Sequence, residues 1–492
     1  MRYIPREEVL LMRKIRRFLA AMLALLLLIS SALAEARLVP QADEWRLDTS
    51  PVQVTMSVQV NSLAEFDETR VAQLNGLLKH LTVTVKYQET QQEQWGRVGI
   101  AVDGSEALAL TINERDGLAQ AQLSCIGDTT YTSASGDDVT VWLLGEEVSD
   151  EAACEPGIEA IISPWLSDGY RMFDLLPNVL ADFTAEKTVK TSISKMGAAR
   201  ILQTITIPEE NVGVLPETLA SLCTDEATTA VLGSAVFSGK QVIKLWRNAD
   251  GELIKATWSG QIGPDAEHLR KVSLTWTMRR DDDNTRDEIT LKTPAVNSND
   301  YNTISFKRTA KVDEMGVITL TASYSHKSRS DQTVVTRTGE AQLTSTPTSE
   351  GMRIAGEITQ SVTPQKEDEL TLILTPDLVF AAENVHVYGT IGMERRAEKR
   401  VLSSVTLTVD MTQGSYFDWL LMPHTIDMDA LNQNGQAAMT HEEITGAAAT
   451  ALIRPLVLLP YEDTLYLSDG LDEAAWAKIV NAARQATEQE AN

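Results

Sequence analysis

Cysteine and histidine are scarce in this chain, which has three of the first (Cys125, Cys154 and Cys223) and six of the second in 492 residues. So few thiols and imidazoles, none at metal-ligand spacing, argue against a zinc module or a disulfide-dense mini-domain. Positive charge is short as well, with 43 Lys and Arg against 69 Asp and Glu and a formal net charge of −26. A chain this acidic repels a phosphate backbone or an anionic membrane surface, so nucleic acid is not an expected partner. Long apolar runs are missing after residue 34. The most apolar later stretch, Ala447 to Leu459, is interrupted by Arg454 and Pro455, so no membrane span is expected after the first segment. A Gly-x-Ser-x-Gly elbow, a P-loop and a dinucleotide fingerprint are absent. That weakens serine-hydrolase and nucleotide-dependent readings, and no cofactor is expected.

The first segment carries Arg13, Lys14, Arg16 and Arg17, then the apolar run Phe18 to Ile29, then small residues ending in Ala32-Leu33-Ala34. A basic start, a short apolar helix and small residues before Glu35 predict a signal peptide over 1–34, with cleavage after Ala34 and Met12 a possible alternative start. The competing reading is an uncleaved anchor, for which the apolar stretch is short. Export places the mature protein in an extracellular, cell-surface or periplasmic setting. The oxidising side of a membrane would permit one disulfide among the three cysteines, in any of three pairings.

Alternation of apolar and polar residues is the dominant local pattern. Val52, Val54, Met56, Val58 and Val60 alternate with Gln53, Thr55, Ser57 and Gln59, the pattern of a strand with one dry side. Asp67 then precedes Val71, Leu74, Leu77 and Leu78 at helix spacing, and Leu81 to Tyr87 alternate again. Short strands continue to Leu143, broken by Asp103-Gly104, Asp116-Gly117 and Gly127-Asp128 turns. A helical insertion is expected over about 155–185, a strand over Ile201 to Ile207, and a short helix with Pro216 at its first position. From Gln241 to Met411 nearly every segment alternates, which predicts about ten long strands. Within them Trp258 and Trp276 should face one core. Asn248 to Gly251 should form a tight turn, and the polar runs Asp281 to Asp287, Lys327 to Gln332 and Thr346 to Gly351 should join later strands.

These patterns predict a mainly β, α+β chain: a large curved antiparallel meander, since long twisted strands curl and their apolar face must be covered. Residues 35–235 form an expected N-terminal β region, and 236–492 a C-terminal meander (about 241–411) with covering helices (about 415–488). The helices follow Gly414, include a capping box of Thr440 and Glu443, and end in a stripe of Leu471, Trp476, Ile479, Val480 and Ala483. In outline this pattern resembles the periplasmic lipoprotein carriers, and the resemblance implies a curved sheet holding an apolar ligand.

Candidate sites are few. Tyr416, Phe417 and Trp419 would line a ligand site if the concave face is open and would plug it if the face is filled, the commoner fate of such aromatics. Asp281 and Asp283, and Asp427 and Asp429, are acidic loops that miss the EF-hand register and could hold calcium only loosely. His441-Glu442-Glu443 lacks the second histidine of a zinc helix. The favoured function is therefore an exported, non-enzymatic envelope protein holding a lipid-like ligand or an envelope protein. The alternatives are a structural or adhesive surface protein, and a glycan hydrolase using paired carboxylates and surface tryptophans such as Trp95 or Trp142.

Overall fold

The computed structural model describes residues 51–89, 93–115, 118–126, 129–133, 173–178, 189–194, 199–222, 229, 232–263, 265–280, 283–296, 298–330, 333–364, 369–381, 386–413, 424–427, 441–469, 471 and 473–490. In chain order the elements begin with β1 (Val52–Leu63), α1 (Glu68–Leu78), β2 (Leu81–Glu89), β3 (Glu93–Val102), β4 (Ser105–Arg115), β5 (Leu118–Leu123) and β6 (Thr129–Ser133). Then follow β7 (Val189–Ile193), β8 (Ile201–Ile207), α2 (Leu215–Ala220), β9 (Val236–Arg247), β10 (Leu253–Gly263), β11 (Arg270–Arg280) and β12 (Asn284–Pro294). The long strands continue as β13 (Tyr301–Val312), β14 (Ile318–Ser330), β15 (Thr333–Pro347), β16 (Gly351–Pro364), β17 (Leu370–Ala381), β18 (His386–Ala397) and β19 (Arg400–Gln413). The chain ends in β20 (His424–Asp427), α3 (His441–Val457), α4 (Leu465–Ser468) and α5 (Glu473–Glu490). The chain is thus mainly β, an antiparallel meander with a few helices, as its alternation predicts.

Two compact units divide these elements. A central unit comprises Cys154–Thr346 and Glu357–Thr371, and a terminal unit comprises Gln41–Ala153, Pro347–Gly356 and Leu372–Asn492. In the central unit β7 to β15 pair antiparallel in sequence order. In the terminal unit β2 to β6 pair in order, β1 lies between β2 and β19, and β18 lies beyond β19. β20 joins β6 in parallel.

Local chemistry accounts for the turns. Asp67 accepts the Arg70 amide at 2.8 Å and caps α1, satisfying an otherwise orphan donor. Asp103 and Gly104 both take positive φ between β3 and β4, the requirement of a two-residue hairpin turn. Asn248 closes the β9–β10 turn by accepting the amides of Asp250 and Glu252 at 3.0 and 2.9 Å. Pro216 is the second residue of α2, one place later than expected.

The central core sits on one face of β8 to β12. Trp258 and Trp276 are both buried in it, as their alternation predicts, with Ile205, Ile243, Leu245 and Leu274 beside them. Phe173, Leu176, Leu215, Leu219 and Leu222 cover this face. Arg247 donates to Asp174 Oδ1 at 2.5 Å and to Gln203 Oε1 at 3.0 Å, which ties residues 173–178 to the end of β9 and to β8.

Two expected loops are strands. β12 begins at Asn284, so Asp287 is not a wet loop residue but fully buried. Its Oδ1 accepts the Trp276 indole N–H at 3.0 Å and its Oδ2 accepts from Arg308 at 3.0 Å. β14 likewise runs through Lys327 to Ser330. The reason is the same in both: polar residues on the wet side, or satisfied on the dry side, do not interrupt a backbone ladder.

Candidate functional site

Cross-strand register builds one apolar face across seven strands of the terminal unit. Val387, Ile391 and Met393 of β18 oppose Met411, Leu407 and Val405 of β19. Those in turn oppose Val54, Val58 and Val60 of β1, and Val54 and Met56 oppose Val85 and Val83 of β2. Val83, Val85 and Tyr87 continue into Ile100, Val98 and Gly96 of β3, then Leu108, Leu110 and Ile112 of β4, then Leu123 and Ala121 of β5. Because side chains alternate with period two, this in-register set lies on one side of the sheet.

Burial along that face is uneven. Val387, Ile391, Leu407, Val409, Val54, Met56 and Val60 are buried. Val83, Val85, Val98, Ile100, Leu108 and Leu110 are only half-buried. In the row Tyr87–Gly96–Ile112 both flanking side chains are 41% exposed. A Cβ placed on Gly96 would meet no heavy atom within 4 Å. The glycine thus leaves an open notch between two exposed apolar side chains.

The opposite end of the same strands is capped. Leu77 of α1, Val102 of β3 and Leu456 of α3 form a small core with Leu81, Ala107, Leu459, Tyr466 and Leu467 around it. Asn75 of α1 holds the β1 bulge, its side chain accepting the Val60 amide at 2.8 Å and donating to the Val60 carbonyl at 2.7 Å. Phe66 packs on Tyr466 with ring centroids 6.1 Å apart, the Arg70 guanidinium lies 5.0 Å over the Phe66 ring, and Arg70 pairs with Asp469 at 3.3 Å.

A chain of four titratable groups closes the capped end. The His80 ring, 15% exposed, has Nδ1 at 2.6 Å from Asp103 Oδ1 and Nε2 at 3.0 Å from Asp463 Oδ2. Lys79 Nζ lies 2.5 Å from Asp463 Oδ1. The Asp103 hydrogen bond, and with it Asp463, holds the imidazole pKa above its ordinary value against the opposing effect of burial. Lys79 first and His80 second hold the Asp463 carboxyl below the usual range.

The sequence-derived site residues fall elsewhere. Tyr416, Phe417, Trp419, Asp281 and Asp429 lie outside the described residues, as do the segment 1–34, Trp142 and the Thr440 cap. Asp283 and Asp427 are exposed, the first in the turn before β12 and the second at the end of β20. Among the described residues no group of three His, Cys, Asp or Glu could hold a metal ion, and no described helix is long and apolar enough to cross a membrane. Trp95 is not a surface tryptophan: it is buried, in register with Asn113 and Gln88. Cys125 is a free, half-buried thiol whose pKa burial pushes up, which removes two of the three disulfide pairings.

Sequence reasoning misses the Lys79, His80, Asp103 and Asp463 chain because its members come from residues 79 to 463. The only local trace is the Asp103-Gly104 turn.

No family model matches the chain, and no curated relative does. Among solved structures, it is similar to the outer-membrane expressed OmpT of Vibrio cholerae, with 7% identity, 73% of this chain and 95% of that chain covered, and a TM-score of 0.26. It is also similar to Wzi of Escherichia coli, an outer-membrane protein of group 1 capsule assembly described as a carbohydrate-binding β-barrel, with 7% identity, 79% and 89% covered, and a TM-score of 0.26. Superpositions this poor assign the chain neither a fold family nor a function.

Proposed function

We propose that this is an exported, non-enzymatic cell-envelope protein that holds a lipid-like ligand, one extended hydrocarbon chain, on the apolar face of its terminal unit. The carrying observation is the open row Tyr87–Gly96–Ile112, where two large apolar side chains stand half out of water on either side of a bare glycine. Covering such a patch is favourable by about 25 cal/mol per Å² of apolar surface. The notch spans two strand spacings, about 9.6 Å less the flanking side chains, which suits a single chain. From Val83 to Tyr87 the half-buried strip runs about 13 Å along β2. With a formal charge of −26, the protein favours an uncharged or cationic head over an anionic one.

Gly96 lies outside the positive-φ glycines of the chain, so a side chain fits there without backbone strain, and the variant Gly96→Trp fills the notch. Purified protein should release an apolar compound into organic solvent and take up the probe N-phenyl-1-naphthylamine. The Gly96→Trp variant should weaken uptake about tenfold, the equivalent of losing one chain-sized contact area. Clean extracts together with unchanged probe binding in the variant would sink the reading.

One observation favours a second reading, that of an adhesive surface protein. Thr257, Thr275, Thr290, Ser305, Ser325 and Thr338 oppose one another across six adjacent central strands, a continuous hydroxyl row on the face opposite the core. Binding to insoluble cell-wall material that is lost on replacing Thr275 and Thr290 by Val, with no extractable ligand, would select it.

A further inference from the structure

His80 stands where α1 passes into β2, at the seam between the sheet and the C-terminal segment. Asp103 faces it from the β3–β4 turn, Asp463 faces it from the 3-10 turn Tyr461–Asp463 that precedes α4, and Lys79 reaches it through Asp463. Both ring nitrogens lie within hydrogen-bond distance of a carboxylate oxygen. A neutral imidazole has one N–H, so one nitrogen would present its lone pair to a carboxylate. Only the imidazolium donates to both.

We propose that His80 is a pH-dependent latch that holds the segment Tyr461–Asp469 over the capped end of the apolar face and releases it when the ring loses its second proton. The inference rests on the ligand reading above and assigns regulation to that same site.

The position gives the latch its consequence. Leu81 and Val102, the neighbours of His80 and Asp103, begin the apolar rows that run to Tyr87 and Gly96. They are covered by Tyr466 and Leu467 of this segment, and by Leu456 and Leu459 just before it. Loosening the segment takes away the Tyr466 and Leu467 side of that cover, where the apolar rows would extend the open strip by about two residues, some 7 Å along β2. The sign follows from proton linkage. A histidine held above its ordinary value stabilises docking fully below that value and loses the contribution as pH rises through the raised one. The contacts of Phe66 with Tyr466 and of Arg70 with Asp469 hold the same segment without involving the His80 ring, so they set how far the segment opens.

Hydrogen exchange on the mature, full-length protein tests this at about pH 5.5 and about pH 8.5, bracketing an imidazole, with intrinsic rates divided out. Peptides covering 461–469 should lose protection about tenfold at the higher pH, the direction that linkage to a raised imidazole requires, while β9 to β11 stay unchanged. The variant His80→Gln should show the same protection at both values. A flat wild-type profile, or a variant that keeps the pH dependence, overturns the latch. If His80→Gln does not fold, the wild-type His80 ring resonance decides: a midpoint below the ordinary 6.5 overturns it as well.

Uptake of N-phenyl-1-naphthylamine at the two pH values separates the latch from the site it regulates. Protection that switches while uptake is nil at both values refutes the ligand reading and leaves the latch standing. Equal uptake at both values refutes regulation of the site.

Discussion

Trp276 carries two separable contributions to the central core. Its ring is almost fully buried, edge-on to Phe173 at 6.3 Å, and its indole N–H donates to the buried Asp287, which Arg308 also binds. Trp276→Ala removes the ring and leaves a cavity, a loss of about 3 to 5 kcal/mol. Trp276→Phe keeps most of the volume and removes the donor, so its cost should be about 1 to 3 kcal/mol, that of a buried acceptor deprived of one partner. Denaturant melts of the two variants measure both, and a Trp276→Phe variant as stable as the parent would show that the hydrogen bond contributes nothing. Alternation alone was enough to place Trp276 inward beside Trp258. It could not place Asp287, because a carboxylate in a polar run reads as solvated until the strand opposite is known to supply an indole and a guanidinium. Gln241 was invisible for the same reason: it is fully buried and accepts the Trp258 indole N–H at 3.0 Å.

Register is the property of the long strands that composition does not determine. β14 and β15 bring Tyr324 opposite Gly339, and a Cβ on that glycine would lie 2.1 Å from the Tyr324 ring. An aromatic ring laid over a cross-strand glycine is one way a sheet pins its pairing. Gly339→Ala should therefore destabilise the protein by about 1 to 3 kcal/mol through overpacking, and Tyr324→Ala made in the same chain should remove that penalty. A double-mutant cycle reads the coupling directly, and additive losses would show that ring and glycine are independent. The existence of these strands was legible from Ile318, Leu320, Ala322 and Tyr324. Their pairing was not, since nothing in either strand names its neighbour. The candidate site shows the same limit: each apolar row of β1 to β4 could be read separately, but the notch exists only because Tyr87, Gly96 and Ile112 fall in one register.

Chain topology makes the two units respond differently to truncation. Every residue of the buried central core lies within Phe173 to Met278, and that unit is built largely from strands that follow one another directly. The terminal face depends instead on β1 pairing with β19, so that Val54 meets Met411 and Met56 meets Val409 across more than 350 positions. Such a closure costs loop entropy that only the completed apolar face offsets. Removing residues 372–492 takes away β18, β19 and the helices α3 to α5, which leaves Val54, Met56 and Val60 without the strands that bury them. Hydrogen exchange of the truncated chain should keep β9 to β11 protected while β1 to β3 exchange at least about tenfold faster than in the intact protein, the scale of losing a few buried side chains. Loss of protection in β9 to β11 to the same degree would contradict a central core complete within its own segment. Unchanged protection in β1 to β3 would show that the β1–β2 hairpin is stable without β19, and would remove the reason for tying the ligand face to both ends of the chain.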